Sequence, residues 1–523
     1  MPAGSSMRSA VLVALFGFGL IAPALDLVLR PDSARSTAPE HRTAAALPRW
    51  PATRAALREF PHALELYVGD SLGWRDQLLR WNSLQQLELF GRFPSSSLYT
   101  GRDGWWYYGE NDGISAWRGL KPFREGELEY WRRSLETQRD WLRARGIEFL
   151  FVLAPNKETI YPEHLPAGYE RLGPTRMEQF AEYMAQHSDV HFLDLRATLL
   201  AEKRNDTQDD LLYYPLGTHW TQRGAWIAYR EILHALRAKL TCLPEAQIAN
   251  FVVKRGTQQG DSWADRLYAA DRFRQACYEY DPRDGFKFVT LKTDDRPGVI
   301  RRQCPGADCE SLLLLHDSFG FKTDCFLAEH FRHQLQCSQI ALEEDLVDEA
   351  RPQAVIEIYA EFKLLIAPPR LVLRQDAAAN RARFERAGTS LFLWSAAQGA
   401  HLIEGRGGAL VEAAPGATGV VIRTTRPAQT FLTPELPFPH SGNSILLFTI
   451  ESQTAQTLDV FYLREGDSEY ERSRSFQLVL AAGRNEIHHR LDDPQLRGRL
   501  SLRPRMPGEL RLERIELRTV PGD

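Results

Sequence analysis

The feature that most constrains this chain is a run of four leucines, Leu312 to Leu315, that leads directly into the segment HDSFG at residues 316–320. A continuous apolar run closed by a serine and a glycine is typical of a strand buried on both faces of an α/β sheet. Open α/β sheets bind their ligands at the carboxyl ends of the strands. We therefore predict that the Ser318 hydroxyl lies on a turn at such an edge, although the same serine could instead cap the following helix.

A second segment, LLYYPLGTHW at residues 211–220, places His219 between a loop and a helix. A serine nucleophile and an imidazole base on two such edges form the arrangement that covalent acyl chemistry uses. The alternative is a structural histidine held by a hydrogen bond. The enzymatic interpretation requires that Ser318 and His219, far apart in the chain, meet in one cleft.

Helical and strand patterns alternate between residues 59 and 366. The helical spacing in GELEYWRRSLETQRDWLRARG stops at Gly146, and the apolar strand IEFLFVLAP follows it directly. Another apolar strand, AVIEIYA, occupies residues 354–360. Helix–strand alternation of this kind indicates a three-layer α/β sandwich around a mainly parallel sheet.

The sequence pattern changes after residue 390. Short strands separated by Gly, Pro, Asn and Ser turns predict a C-terminal β-sandwich or jelly roll over residues 391–523. In ELRLERIELRT the alternation of apolar residues is incomplete, which indicates a β-bulge. We interpret residues 367–390 as a linker, and the Ala-, Pro-, Ser- and Arg-rich residues 30–58 as another.

The first 29 residues have the character of an export segment. Arg8 precedes an apolar run from Ala10 to Leu29, which only Asp26 interrupts. The run can be a signal peptide, with small residues at 22–24 for cleavage, or a membrane anchor, since about 20 residues just span the hydrocarbon core. In either case the remainder is expected in the periplasm, attached to the inner membrane if the helix is retained.

Six cysteines between residues 242 and 337 agree with export, because an even number in an oxidising compartment allows up to three disulfides. Cys304 and Cys309 flank a Pro-Gly turn and are expected to form a local pair. No Cys-x-x-Cys or Cys/His ligand spacing is present, so we expect no metal site. The net charge of −4 at 523 residues gives no reason to expect a nucleic-acid partner.

Five ordered segments between about residues 60 and 365 carry a family resemblance. They are GDSLGWRDQLLRWNSLQQLELFG, LYTGRDGWWYYGENDG, VLAPNKETIYPEHLP, THW and DSFG. Together they resemble the alginate O-acetyltransferase family, the AlgX/AlgJ-like group with an SGNH-hydrolase-like domain, in which the His precedes the Ser. The β-rich region that follows resembles the carbohydrate-binding module of some members.

The resemblance implies an exported enzyme, without a cofactor, that moves an acetyl group onto a hydroxyl of a polysaccharide such as alginate. Ser318 would be the nucleophile and His219 the base. The acetyl group would come from a membrane-bound acyltransferase partner. The oxyanion or the substrate would be bound by donors near the strand ends, namely Asn156, Lys157, Phe319 and Gly320.

One position departs from the family pattern Asp-Thr-His-Trp. In the family the Asp orients the imidazole, whereas this chain has Gly217 at that position. Another carboxylate can substitute, with Asp210 and Asp261 as candidates. A Ser–His dyad can suffice, or catalysis can be lost, which leaves a polysaccharide-binding or scaffold protein. A carbohydrate acetylesterase of the same fold is a further alternative.

Overall fold

The computed structural model of this chain describes residues 3–29, 44–51, 54–256, 260–291, 298–339, 341–366, 368–372, 376–387, 390–413, 419–425, 429–437, 444–464, 470, 475–491 and 496–519. The chain forms two compact units, residues 1–372 and residues 373–523. This division lies within the segment 367–390 that the sequence pattern assigns to a linker.

The predicted export segment is helical. Helix α1 (Ala3–Leu29) is followed by helices α2 (Arg54–Ser71) and α3 (Arg75–Phe90). Within the described residues, no helix has both the length and the apolar character needed to cross a membrane. Of the predicted linker 30–58, residues 30–43 and 52–53 lie outside the described residues, and the last residues belong to α2.

The remaining elements of the first unit alternate between helices and strands, as predicted. They are β1 (Leu98–Thr100), β2 (Trp106–Tyr108), α4 (Gly113–Trp117), α5 (Glu127–Arg143), β3 (Glu148–Ala154), α6 (Lys157–Ile160), α7 (Arg176–His187), β4 (Phe192–Asp194), α8 (Arg196–Glu202), α9 (Gln222–Arg237), β5 (Phe251–Arg255), β6 (Tyr278–Pro282), β7 (Val289–Thr290), β8 (Val299–Gln303), β9 (Cys309–His316), α10 (Asp324–Ala328), β10 (Phe331–Cys337), β11 (Ala341–Glu343), α11 (Glu344–Ala350), β12 (Ala354–Ala360) and β13 (Arg370–Val372).

Seven of these strands form one sheet in the order β4-β3-β12-β9-β10-β8-β7. The strands from β4 to β10 are parallel, whereas β8 and β7 add an antiparallel edge. The register pairs Ile358 with His316 and Ala360 with Ala154, so β9, β12 and β3 end at the same edge. The predicted mainly parallel sheet is confirmed.

The leucine run occupies β9 at the centre of this sheet. Leu312 and Leu314 pack into a core shared with α9, while Leu313 and Leu315 pack into the opposite core with α5 and α7. All four side chains are at most 1% exposed. Each such burial stabilises the fold by about 1.5–3 kcal/mol, which is why this strand can neither shift its register nor reach solvent before the Ser318 turn.

The predicted local disulfide is wrong. Cys309 pairs with Cys242, 67 residues earlier, with Cα atoms 5.4 Å apart. Cys309 is the first residue of β9 and its side chain faces the core under α9, where Cys242 follows the end of that helix. Cys304 is buried and forms no disulfide, and the partly buried Cys277 and Cys325 form none either.

The second unit is the predicted β-sandwich. Its elements are α12 (Ala377–Arg386), β14 (Ser390–Ser395), β15 (Glu404–Arg406), β16 (Leu410–Ala413), β17 (Val420–Thr424), β18 (Thr430–Leu432), β19 (Ser444–Ser452), β20 (Gln456–Arg464), β21 (Ser475–Leu480), β22 (Gly483–Leu491), β23 (Leu496–Pro504) and β24 (Gly508–Thr519). One antiparallel sheet runs β16-β17-β24-β19-β22 with β14 also on β24, and the other runs β15-β18-β23-β20-β21. Apolar residues of both sheets share one core.

The segment 367–390 is not the predicted linker, because it holds β13 and α12. Asp376 caps α12 by accepting the N–H groups of Ala378 and Ala379. Phe384 on this helix packs against Ile445 and Leu447, which makes the helix part of the sandwich. The β-bulge in ELRLERIELRT is confirmed by the shift of register between β19 and β24.

Candidate active site

Ser318 lies on the turn that follows β9 and is exposed. Asp317 holds this turn, because its Oδ1 accepts the N–H of Phe319 at 2.9 Å and its Oδ2 accepts the N–H of Ala360 at 2.7 Å. The N–H of Asp317 donates to the carbonyl oxygen of Ile358 at 3.2 Å. The carboxylate therefore fastens the turn to the end of β12 and leaves the serine open to solvent.

His219 lies at the end of the loop before α9, and this loop contacts the serine turn. The Trp220 Nε1–H donates to the carbonyl oxygen of Phe319 at 3.0 Å, and the His219 and Phe319 rings lie 5.0 Å apart. Within the described contacts, no hydrogen bond joins the Ser318 hydroxyl to the imidazole. Catalytic hydrogen bonds are often longer in the absence of substrate, and one χ1 rotation moves the hydroxyl.

The His219 imidazole is oriented by Asp261. Its Nδ1 lies 2.7 Å from Asp261 Oδ2, which also accepts the N–H groups of Thr218 at 2.7 Å and His219 at 2.9 Å. An acceptor beside Nδ1 assigns the proton to that nitrogen and the lone pair to Nε2. Nε2 is buried and has no hydrogen-bond partner among the described residues. The ring is thus arranged to accept a proton at Nε2.

The charge of Asp261 is stabilised by these donors. Burial by itself would raise the pKa of the Asp261 carboxyl, but the hydrogen bonds from His219 and from the two backbone N–H groups outweigh burial and hold the pKa well below its usual range. The carboxylate is therefore ionised at neutral pH and favours a protonated imidazole during the reaction.

Gly217 is required by this arrangement. A Cβ at position 217 would lie 2.3 Å from the carbonyl oxygen of Asp261 and 2.6 Å from its Oδ2. The carboxylate from position 261 thus occupies the space beside the residue where the family pattern has its aspartate. Glycine at position 217 and the carboxylate from position 261 therefore depend on each other: the glycine leaves the space that Asp261 fills.

The loop that carries Asp261 is fastened to the loop that carries His219. Gln275 joins the two, since its Nε2 donates to Asp261 O at 2.5 Å and its Oε1 accepts from the N–H of Leu216 at 2.8 Å. The N–H of Trp263 donates to Leu216 O at 2.8 Å. Gly260 has a φ of +71° and lies against the Tyr214 ring, where a Cβ would be 2.4 Å from the ring.

Asp210 does not contact the imidazole. Its carboxylate accepts from the Tyr280 hydroxyl at 3.4 Å, and its carbonyl oxygen accepts from Arg223. Burial raises the pKa of Asp210 despite the nearby Arg223 guanidinium. Of the two candidate carboxylates, the structure places only Asp261 on the ring.

Two of the predicted oxyanion donors are occupied. The N–H of Phe319 donates to the Asp317 carboxylate, and the N–H of Gly320 donates to Asp317 O at 3.1 Å. The N–H of Ser318 donates to no described residue. Gly320 instead allows close packing, because a Cβ there would lie 2.3 Å from the His316 ring.

Asn156 lies two residues beyond the end of β3, at the same edge of the sheet. Its Oδ1 accepts the N–H of Phe362 at 3.3 Å, and its own N–H donates to Glu361 Oε2 at 2.8 Å. These bonds turn the amide so that Nδ2 is left without a described acceptor. Asn156 thus leaves a side-chain donor at the same edge of the sheet as the serine turn, with β12 between the two.

Lys157 is not placed to bind a substrate. Its side chain is 3% exposed, and Nζ donates to backbone carbonyl oxygens within the protein. The prediction of a substrate contact at this position is therefore wrong. Within the described residues, no cluster of three or more His, Cys, Asp or Glu side chains is arranged to hold a metal ion.

A parallel sheet with a serine turn and a His–Asp pair at its carboxyl edge defines an SGNH hydrolase-like domain. Residues 98–289 match the family model described as the SGNH hydrolase-like domain of the acetyltransferase AlgX. The matched residues include His219 and Asp261 but end before Ser318.

Several solved structures are similar to the chain at low identity. Bacillus cereus PatB1 is 19% identical over 51% of this chain and 96% of its own, with a TM-score of 0.40. Pseudomonas aeruginosa AlgX is 13% identical over 81% and 94%, with a TM-score of 0.38. The O-acetyltransferase domain of Pseudomonas putida AlgJ is 17% identical over 52% and 93%, with a TM-score of 0.34. A comparison with curated proteins gave no match.

Proposed function

We propose that this protein is an exported O-acetyltransferase that acetylates hydroxyl groups of an alginate-like exopolysaccharide through an acetyl-Ser318 intermediate. The observation that carries the proposal is the His219–Asp261 pair, whose unpartnered Nε2 lies on a loop in contact with the serine turn. The match of residues 98–289 to the model of the AlgX acetyltransferase domain supports the same reaction class.

In the first half-reaction, His219 Nε2 takes the hydroxyl proton while Ser318 Oγ attacks the carbonyl carbon of the acetyl donor. The C–O bond to the donor's leaving group then breaks, and the imidazolium returns the proton to that group. In the second half-reaction, a sugar hydroxyl loses its proton to Nε2 and attacks the acetyl-serine. The acetyl ester of the sugar leaves, and Ser318 recovers its proton.

The charge that develops on the acetyl oxygen needs donors that are already in place. We assign this role to the N–H of Ser318 and to Asn156 Nδ2, since the N–H groups of Phe319 and Gly320 are bonded to Asp317. Removing one such donor costs a hydrolase about 10²–10³ in kcat.

The compartment and the partners follow from the same proposal. The Cys242–Cys309 disulfide supports export to an oxidising compartment, which we take to be the periplasm. A membrane-bound acyltransferase would supply acetyl groups, and the C-terminal β-sandwich would bind the polysaccharide. The scaffold alternative loses its basis in Gly217, because Asp261 provides a carboxylate for the imidazole.

Intact-protein mass spectrometry tests the proposal. Incubation with an activated acetyl ester is expected to add about 42 Da, one acetyl group, to the wild type. Ser318→Ala removes the adduct, whereas Ser95→Ala, at an exposed serine outside the site, keeps it.

Transfer is then measured with uronate and neutral oligosaccharides as acceptors. An acetylated oligosaccharide supports the transferase. Release of acetate alone, with each acceptor present, supports the acetylesterase, and the absence of any adduct on the wild type excludes covalent acetyl chemistry.

A further inference from the structure

One peptide group in the site lies between two opposite charges. The carbonyl oxygen of Gly217 accepts from Lys157 Nζ, and the N–H of the next residue, Thr218, donates to Asp261 Oδ2 at 2.7 Å. Gly217 O and Thr218 N belong to the same planar peptide unit. The Gly217–Thr218 peptide therefore links the Lys157 ammonium to the carboxylate that orients His219.

The Lys157 ammonium is held almost entirely by the backbone. Its Nζ donates to the carbonyl oxygens of Tyr214 at 3.3 Å and Pro215 at 3.2 Å, as well as to those of Trp106 and Gly217. The ring faces of Tyr107 and Trp105 lie 4.8 Å and 5.6 Å from Nζ. Such a concentration of oxygens and aromatic faces is the environment that holds a buried cation.

Burial opposes this charge, and nearby acids support it. Burial lowers the pKa of the Lys157 ammonium, whereas the negative charges of Glu158 and Asp261 raise it. No carboxylate forms an ion pair with Nζ among the described contacts. The carbonyl dipoles are therefore the direct partners of Nζ.

The bonds of Lys157 and Asp261 together determine the path of the His219 loop. Three carbonyl oxygens of residues 214–217 turn toward the ammonium, while the next two N–H groups, those of Thr218 and His219, turn toward the carboxylate. Because a peptide group is rigid, rotation of the Gly217 carbonyl away from Nζ would also rotate the Thr218 N–H away from Asp261.

We propose that Lys157 is a positioning residue for the catalytic pair: by binding the carbonyl oxygens of Tyr214, Pro215 and Gly217, it holds the Thr218 and His219 N–H groups on Asp261 and thereby fixes the orientation of the imidazole. The inference rests on the proposed acetyl transfer. It assigns to a lysine on another element part of the role that an aspartate two residues before the histidine has in the family pattern.

Lys157→Met removes the charge but keeps the length and apolar volume of the side chain. Lys203→Met is the matched control, because Lys203 Nζ also donates to a backbone carbonyl, that of Ile160 at 2.7 Å, and lies over an aromatic ring, that of Tyr161 at 4.5 Å. Lys157→Arg keeps the positive charge and serves as the conservative variant if Lys157→Met does not fold.

Two readouts do not depend on acetyl transfer. The hydrogen-bonded Nδ1 proton of His219 gives a downfield NMR signal, which Lys157→Met is expected to weaken or shift upfield. Amide exchange at Thr218 and His219 should become about tenfold faster or more, because these N–H groups lose their fixed acceptor. Lys203→Met should leave the NMR signal and the exchange rates unchanged, and Lys157→Arg should give values nearer to those of the wild type than Lys157→Met does.

The third readout is the rate of Ser318 acetylation. Lys157→Met should lower kcat by about 10² while KM for the acetyl ester changes little, since a small misplacement of a catalytic group costs this much. If Lys157 acts through Asp261, the same substitution in an Asp261→Asn background should add much less than its single effect.

The inference is overturned if folded Lys157→Met keeps the wild-type NMR signal and exchange rates, or if its kinetic effect simply adds to that of Asp261→Asn. A wild type that is never acetylated would remove the proposed function. The NMR and exchange measurements would still decide the role of Lys157.

Discussion

At the residue scale, the position of the Asp261 carboxylate leaves no room for a side chain at position 217. Introducing any side chain at 217 forces it into the carbonyl and carboxylate of Asp261, at 2.3 Å and 2.6 Å. We expect Gly217→Asp to displace Asp261 and to lower the acetylation rate by about 10² or more. Gly217→Asp combined with Asp261→Gly should recover part of that loss, which single-turnover acetylation of the three proteins measures. A gain of activity by Gly217→Asp alone would contradict this account.

Asp261 itself can be tested directly. Asp261→Asn keeps the shape but loses the carboxylate that selects the Nδ1–H tautomer, so we expect acetylation to fall by about 10³–10⁴. Asp210→Asn is the control, since this carboxylate bonds Tyr280 and not His219. If the acetylation rate falls equally in the two variants, Asp261 is not the acid that orients the imidazole.

The residues of the candidate site differ in how far sequence alone could predict them. Ser318 and His219 stand in recognisable segments, and the structure brings their loops together through Phe319 and Trp220. Sequence alone does not decide whether Asp261 or Asp210 orients the imidazole. The answer depends on the fold of the Asp261 loop, which Gln275 fastens to the His219 loop. The position of Lys157 after a strand predicts a donor to the oxyanion or the substrate, because the sequence does not reveal the carbonyl oxygens that surround its Nζ.

At the element scale, a carboxyl group at the end of β12 makes the free energy of unfolding depend on pH. Glu361 follows this strand, is buried, and accepts hydrogen bonds from the Asn156 N–H and the Thr159 hydroxyl. Burial raises the pKa of the Glu361 carboxyl from 4.5 to about 7, although both hydrogen bonds lower it. Between these two values the unfolded chain releases its proton first, so the free energy of unfolding falls as the pH rises.

We therefore expect Glu361→Gln to reduce the loss of stability between pH 4.5 and 7, by about 3 kcal/mol at most. Urea unfolding at several pH values measures the difference from the wild type. Glu182→Gln, at an exposed position on α7, should leave the dependence unchanged. A pH profile of Glu361→Gln that parallels the wild type would contradict the expectation.

Strands were easier to predict than the connections between them. The apolar runs of β3, β9 and β12 are buried on both faces, so their composition alone indicates central strands. The few apolar residues of α12 predict a linker over the segment 367–390. Its place depends on Phe384 packing against a sheet that forms far along the chain.

At the scale of the whole molecule, the disulfide joins the elements that carry the base and the nucleophile. Cys242 follows α9, the helix that begins beside His219, and Cys309 opens β9, the strand that ends beside Ser318. Cys242→Ala with Cys309→Ala should lower the free energy of unfolding by about 2–4 kcal/mol, since a closed loop of 67 residues is released. Urea unfolding checks this value, with Cys304→Ala as the control for a buried free thiol.

The link has a further consequence for the integrity of the polypeptide. A single cut by a protease anywhere between residues 242 and 309 would divide the sequence into two pieces, one bearing the imidazole and the other the hydroxyl. The sulfur–sulfur bond would still keep both pieces in one covalent body, so a nicked protein would migrate as one band on a gel until a thiol reagent separates its halves.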